Sequence, residues 1–154
     1  MGVATSEPLL AVDLPAVPES APVARGAVME ALAGVAVDRD AVGIVVSEAV
    51  ANAVMHAYRD RPEPGRVRVS VEVGDESLEL AVSDDGIGMT PRIDSPGAGL
   101  GVPLMTGFAD EVLVDCSHGT RLRARFELYG PAGPHGRPVR RHAGVTRTRR
   151  FARG

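Results

Sequence analysis

Between Asp38 and Tyr58 apolar residues recur every three or four positions: Val42, Val45, Val46, Ala49, Val50, Ala53 and Ala57. That period predicts a helix over 39–59 with one buried face. Asp38 fits as its N-cap and Asp40 falls in its first turn. Upstream, PLLAVDL at 8–14 predicts a short strand ended by Pro15. An Ala-rich helix over roughly 20–36 follows, with Ser20 as its cap. Pro62-Glu63-Pro64-Gly65 breaks the chain, and the period then changes to two. Val67, Val69, Val71 and Val73 share one face, as do Leu78, Leu80 and Val82, with Gly74-Asp75 between them. This is a hairpin with one buried face. Residues 84–101 are rich in Gly and Pro and read as a loop. Leu100–Phe108 reads as a short apolar helix, and 111–116 and 120–128 alternate again as strands. Strands beside helices in this order predict an α/β (α+β) two-layer sandwich, with helices on one face of an antiparallel or mixed sheet.

Composition narrows the chemistry. All 17 basic residues are arginine. Without lysine there is no Walker P-loop, no strand lysine of the eukaryotic protein-kinase type and no Schiff base. Only Tyr58, Phe108, Phe126, Tyr129 and Phe151 are aromatic, so the interior is expected to be Val, Leu and Ala. Cys116 is the sole cysteine, which excludes an internal disulfide and argues against a cysteine zinc site. It reads as a buried thiol in a reducing compartment. The N-terminus carries no secretion signal and no apolar run could cross a bilayer, so a cytoplasmic protein without membrane contact is expected.

The net charge of −3 conceals a split. Residues 1–128 hold all 20 acids and ten arginines, a balance of −10; residues 129–154 hold seven arginines and no acid, a balance of +7. Two regions follow: a domain at 1–129 and an Arg-rich tail at 130–154, whose Pro, Gly and Arg content predicts disorder. Such a tail would meet phosphate backbones in a salt-dependent way. It lacks interleaved aromatics, and no specific nucleic-acid binding is expected.

The candidate chemistry lies on the long helix and in three glycine motifs. Glu48, Asn52 and His56 stand four residues apart and form one polar line. Glu48 could take a proton from an attacking hydroxyl or water. Asn52 offers a neutral oxygen to Mg²⁺. A solvated helix face is the alternative for the line as a whole, although Asn is a poor helix former without a partner. Asp84-Asp85-Gly86-Ile87-Gly88 ends a strand: an ordinary turn, or a buried Asp84 accepting from an adenine amino group while Gly86 and Gly88 let backbone approach the ring. Gly97-Ala98-Gly99-Leu100-Gly101 opens a helix, where free N–H groups favour an anion. Gly119-Thr120 at a strand start reads as a β-turn.

In this order and spacing, ExxxNxxxH, DxGxG, GxGLG and GT resemble the ATPase superfamily shared by DNA gyrase, the large heat-shock chaperone, MutL-type repair proteins and histidine kinases. VVSEAVANAVMHAY and GLGVPLMTGFADEV resemble most its small stand-alone members, the bacterial anti-sigma factor serine/threonine kinases, over roughly residues 20–128. The resemblance implies the histidine-kinase-like ATPase fold, with a mixed, mostly antiparallel sheet. It implies that Glu48 is the catalytic base, Asn52 the Mg²⁺ ligand and Asp84 the adenine acceptor. Gly86, Gly88 and Met89 would form the first nucleotide-binding box, Gly97, Gly99, Leu100 and Gly101 the second, and Thr120 the hydroxyl beside the adenine. ATP and Mg²⁺ are the implied cofactors. The implied reaction phosphorylates a serine or threonine of an anti-sigma-factor antagonist, and the same protein sequesters a sigma factor, as a homodimer. One departure stands out: some relatives carry arginine beside the second glycine box, where this chain has Gly97. A non-catalytic ATP-binding module controlling a protein partner is the alternative.

Overall fold

The period-two segments fold onto one another. A computed structural model describes residues 7–56, 63–86 and 101–129, apart from the side chains of 56 and 101–103. In it β2 (Arg66–Val73) and β3 (Ser77–Asp84) form an antiparallel hairpin in which Val69 faces Val82 and Val71 faces Leu80. The Gly74 N–H donates to the Ser77 carbonyl at 2.8 Å and closes the turn. β1 (Leu10–Pro15) pairs with β2 on the outer side. β5 (Arg121–Glu127) pairs with β3, and β4 (Glu111–Asp115) lies outside β5. The order is β1-β2-β3-β5-β4, and every described pairing is antiparallel.

Alternation decides the two faces. Val67, Val69, Val71, Leu78, Leu80, Val82, Leu122, Ala124 and Phe126 point inward and are buried. The opposite face carries Arg66, Arg68, Arg123 and Arg125, paired with Asp13, Glu79, Glu111 and Glu127. Of these pairs only Arg123 with Glu79 is bidentate, both bonds at 2.9 Å. Glu79 holds that guanidinium above its ordinary pKa. Exposed pairs of this kind contribute about 1 kcal/mol or less each, so the inward face supplies the stability.

Three helices cover the inward face: α1 (Ser20–Ala31), α2 (Arg39–His56) and α3 (Gly101–Phe108). Asp38 caps α2 as expected, accepting the Ala41 N–H at 3.0 Å. Ala41, Val42, Val45, Val46, Ala49, Val50 and Ala53 form its buried stripe. The interior is Val, Leu and Ala, with Phe126 its one buried aromatic among the described residues. Pro103 falls in the first turn of α3, where its missing N–H has no intrahelical acceptor to lose.

Three expectations are corrected. Ser20 is not a cap. It is the buried first residue of α1, and its hydroxyl donates to the Pro15 carbonyl at 2.6 Å, tying the helix to the end of β1. α1 stops at Ala31, short of residue 36, because the chain turns through Gly34 at φ +82°. Cys116 is exposed and not buried. β4 ends at Asp115, whose carboxylate accepts the Ser117 N–H at 2.9 Å, so Cys116 falls in the following turn. That bond holds the Asp115 carboxyl below its ordinary range.

Gly43 is a buried glycine within α2. A Cβ there would stand 3.1 Å from the tip of the Arg25 side chain on α1. That tip is exposed and can swing away, whereas a mid-helix glycine costs up to about 1 kcal/mol relative to alanine. Gly43→Ala is therefore expected to raise stability by about 0.5 kcal/mol, read from denaturant unfolding. A fall of that size would mean that Arg25 is held rigidly.

Candidate nucleotide-binding site

The parity of β3 sets the site. Leu78, Leu80 and Val82 face inward, and the next inward position is Asp84, 9% exposed at the strand end. β5 has the same parity: Leu122 is inward, and two residues earlier so is Thr120. The two ends are knotted together. Asp84 N–H donates to the Thr120 carbonyl at 2.9 Å, and Thr120 N–H donates to Asp84 Oδ1 at 3.3 Å. Gly86 N–H donates to the same Oδ1 at 2.9 Å. Oδ1 takes both backbone donors, and Oδ2 accepts no hydrogen bond among the described residues. Burial pushes the Asp84 carboxyl above its ordinary pKa, and the neighbouring Asp85 adds to this, while the N–H groups of Gly86 and Thr120 oppose it.

Gly119 makes the knot possible. Its φ is +73°, and a Cβ built on it would fall 2.3 Å from the Asp84 carbonyl oxygen. Only a residue without a side chain lets β5 begin this close to the end of β3.

Asp84, Thr120 and Asn52 line one cleft, whose apolar walls are Ala49, Ala53, Val82, Met105, Val114 and Leu122. The cleft is narrow and opens to solvent. Ala49 and Ala53 flank Asn52 on α2, and their short side chains leave the floor open. Glu48 is half-buried one turn before Asn52 and is not among the residues lining the cleft. Gly86 follows Asp84 directly, and Gly101 is the first residue of α3, whose Met105 forms one wall. Gly88, Met89, Gly97, Gly99 and Leu100 lie outside the described residues.

The cleft brings together Asn52, Asp84 and Thr120, three of the residues the sequence singles out; Gly119 reads there only as part of a β-turn, and the walls carry no motif. The inward parity of Asp84 was a readable signal. The need for glycine at 119 was not, because the atom it must avoid belongs to a residue 35 positions away. The apolar walls have the same composition as the core.

An apolar cleft with one buried carboxylate lies between the helices and the antiparallel sheet of an α+β domain. The family model for the histidine kinase-like ATPase domain matches residues 14–126, and the chain belongs to that family. Membership brings ATP binding with it. Among relatives, the anti-sigma F factor of Pasteuria penetrans is 41% identical over 86 residues, covering 49% of this chain and 57% of that protein. The anti-sigma F factor of Clostridium novyi is 38% identical over 96 residues (54% and 66%), and that of Bacillus subtilis 33% over 99 (54% and 66%). The chain thus matches less than two thirds of each of these proteins. A histidine kinase domain from the blue-light-activated histidine kinase of Erythrobacter litoralis superimposes with a TM-score of 0.50 at 31% identity, covering 58% of this chain and 44% of that one. No helix among the described residues is long and apolar enough to cross a membrane.

Proposed function

We propose that the chain is an ATP- and Mg²⁺-dependent serine/threonine protein kinase that phosphorylates an anti-sigma-factor antagonist and also sequesters a sigma factor, acting in the cytoplasm as a homodimer. The observation that carries this reading is the convergence of Asn52 and Asp84, from different elements, on one cleft. Similarity to proteins named anti-sigma F factor supports the choice of partners.

In this reading Asp84 Oδ2 accepts from the adenine amino group, with Gly86 at the ring edge and Thr120 beside it. The phosphates extend toward the N-terminus of α3, and Gly88, Met89, Gly97, Gly99, Leu100 and Gly101 would contact the nucleotide. Asn52 would hold Mg²⁺. Among the described residues no cluster of three or more His, Cys, Asp or Glu side chains forms. A site built from one carboxamide oxygen, phosphate oxygens and waters suits Mg²⁺, which needs no all-protein cage. When bound, Mg²⁺ supplies charge neutralisation at the phosphates. Glu48, one turn away on α2, would take the proton from the acceptor hydroxyl.

The purified chain, incubated with γ-labelled ATP and antagonist proteins from its host, is expected to label one of them on serine or threonine. Glu48→Gln should reduce that labelling by at least about a hundredfold while nucleotide affinity stays unchanged, because removing a general base costs about 10²–10⁴ in rate. Full labelling by this variant would remove Glu48 from the role.

A second reading, a non-catalytic ATP-binding module that controls a partner, is favoured by two observations. Glu48 does not line the cleft, and Gly97 stands where some relatives carry a cation. Nucleotide-dependent partner binding without label transfer to any antagonist would select it.

A further inference from the structure

Beyond Tyr129 the chain carries seven arginines and no acid, and the fold determines where that segment leaves. Leu128 N–H donates to the Glu76 carbonyl at 2.9 Å, and Tyr129 N–H to the Ala36 carbonyl at 2.7 Å. The chain therefore exits between the tip of the β2–β3 hairpin and the connection of α1 to α2. This end of the sheet is acidic. Glu72, Asp75 and Glu76 are exposed and stand in no ion pair among the described residues. Glu72 also faces Glu79 directly across the hairpin, and Arg123, bound to Glu79, attracts both. The nearby arginines are committed, Arg123 to Glu79 and Arg125 to Glu111 and Glu127. One large apolar side chain borders Glu72 on its own face: Leu9, 47% exposed, falls level with it in the β1–β2 register.

We propose that the surface formed by Leu9, Glu72, Asp75 and Glu76 is the docking site of the chain's own arginine-rich segment, residues 130–154. Charge complementarity selects this occupant: it brings seven guanidinium groups, each able to bind a carboxylate through two bonds while its stem covers apolar surface. Phe151 supplies an aromatic ring for Leu9. Single exposed ion pairs are weak, but the covalent tether gives the segment an effective concentration on the order of millimolar at a site where its own exit lies. Asp84 is at the other end of β3, about 24 Å away at roughly 3.4 Å per residue, so a docked segment leaves the cleft open.

Trypsin cuts after arginine, so its rate on the full-length chain reads how often the segment is released. Cleavage after the tail arginines is compared by mass spectrometry in the wild type and in the Glu72→Gln, Asp75→Asn, Glu76→Gln triple variant. It is followed at salt of about 0.01 M and about 1 M, where the screening length is roughly 30 and 3 Å. At low salt the wild-type segment is expected to be cut about tenfold more slowly than in the triple variant, and at high salt the two rates should converge. A thermal melt confirms that the variant is folded, and Asp75→Arg alone should speed cleavage in the same direction. Equal rates at low salt overturn the proposal. Protection that grows with protein concentration overturns it in favour of a second copy, and protection that appears only with an added duplex oligonucleotide overturns it in favour of nucleic acid.

Discussion

Gly119→Ala is expected to lose nucleotide binding and much of the domain's stability together. Two effects combine at this position. An alanine at φ +73° pays for a left-handed backbone, about 1–2 kcal/mol. Its methyl would also fall 2.3 Å from the Asp84 carbonyl oxygen, with the carbonyl carbon at 3.2 Å. These obstacles are backbone and not the end of a flexible side chain, so the start of β5 must move away from the end of β3. That movement breaks the pair of bonds between Asp84 and Thr120. Together the effects should cost at least about 3 kcal/mol, a fall in Tm of roughly 10 °C for a domain of this size. Affinity for ATP should drop on the order of a hundredfold, as the carboxylate is no longer aimed into the cleft.

Gly34→Ala supplies the internal comparison. Gly34 has nearly the same backbone angle, φ +82°, but a Cβ there meets nothing within 4 Å. Only the conformational term remains, so a loss of about 1 kcal/mol with unchanged nucleotide affinity is expected. Calorimetric melts and ATP titrations of the two variants separate the terms. Similar small losses in both would show that β5 is free to shift and that the knot at Asp84 is not what organises the cleft.

The same contrast shows what could be read without coordinates. Helix α2 was legible because its apolar period, its Asp38 cap and its first-turn Asp40 agree, and all are local. The hairpin was legible for the same reason: four valines and three alternating apolar partners on either side of Gly74 leave one register that buries all of them but Val73 at the hairpin end. Parity carried Asp84 to the inward face. What was not legible depended on partners far away in sequence. The insertion of β5 between β3 and β4 puts Thr120 beside Asp84, and no local pattern announces it. The Ser20 hydroxyl found a strand carbonyl where a free helix N–H was expected. The limit of α1 lay in Gly34, whose turn only makes sense once Asp38 must begin the next helix. Cys116 suits the interior by residue type, but β4 ends one residue before it and leaves it on the surface.

Asp84→Asn should abolish adenine recognition while leaving the fold intact. The asparagine carbonyl can keep the two backbone donors, Gly86 N–H and Thr120 N–H, that now share Oδ1. That places the amide NH₂ where Oδ2 stood, and an adenine amino group then meets a donor instead of an acceptor. Replacing a charged acceptor by a donor costs about 3 kcal/mol or more, so ATP affinity should fall by at least about a hundredfold. Stability should move the other way. Burial raises the Asp84 pKa above its ordinary 3.8, so the native state binds this proton more tightly than the unfolded chain. The resulting stability is fully present below the unfolded value and is lost as pH rises through the raised folded value. Above its raised pKa the nucleotide-free wild type bears a buried charge that the variant lacks, and there the variant should be at least as stable. Subtracting the pH–stability curves of the two proteins isolates this group from the other carboxylates. The wild type should gain relative to the variant as pH falls from the raised value toward 3.8. A domain that binds ATP normally as Asp84→Asn, or a difference curve of opposite slope, would place the carboxylate outside the binding site.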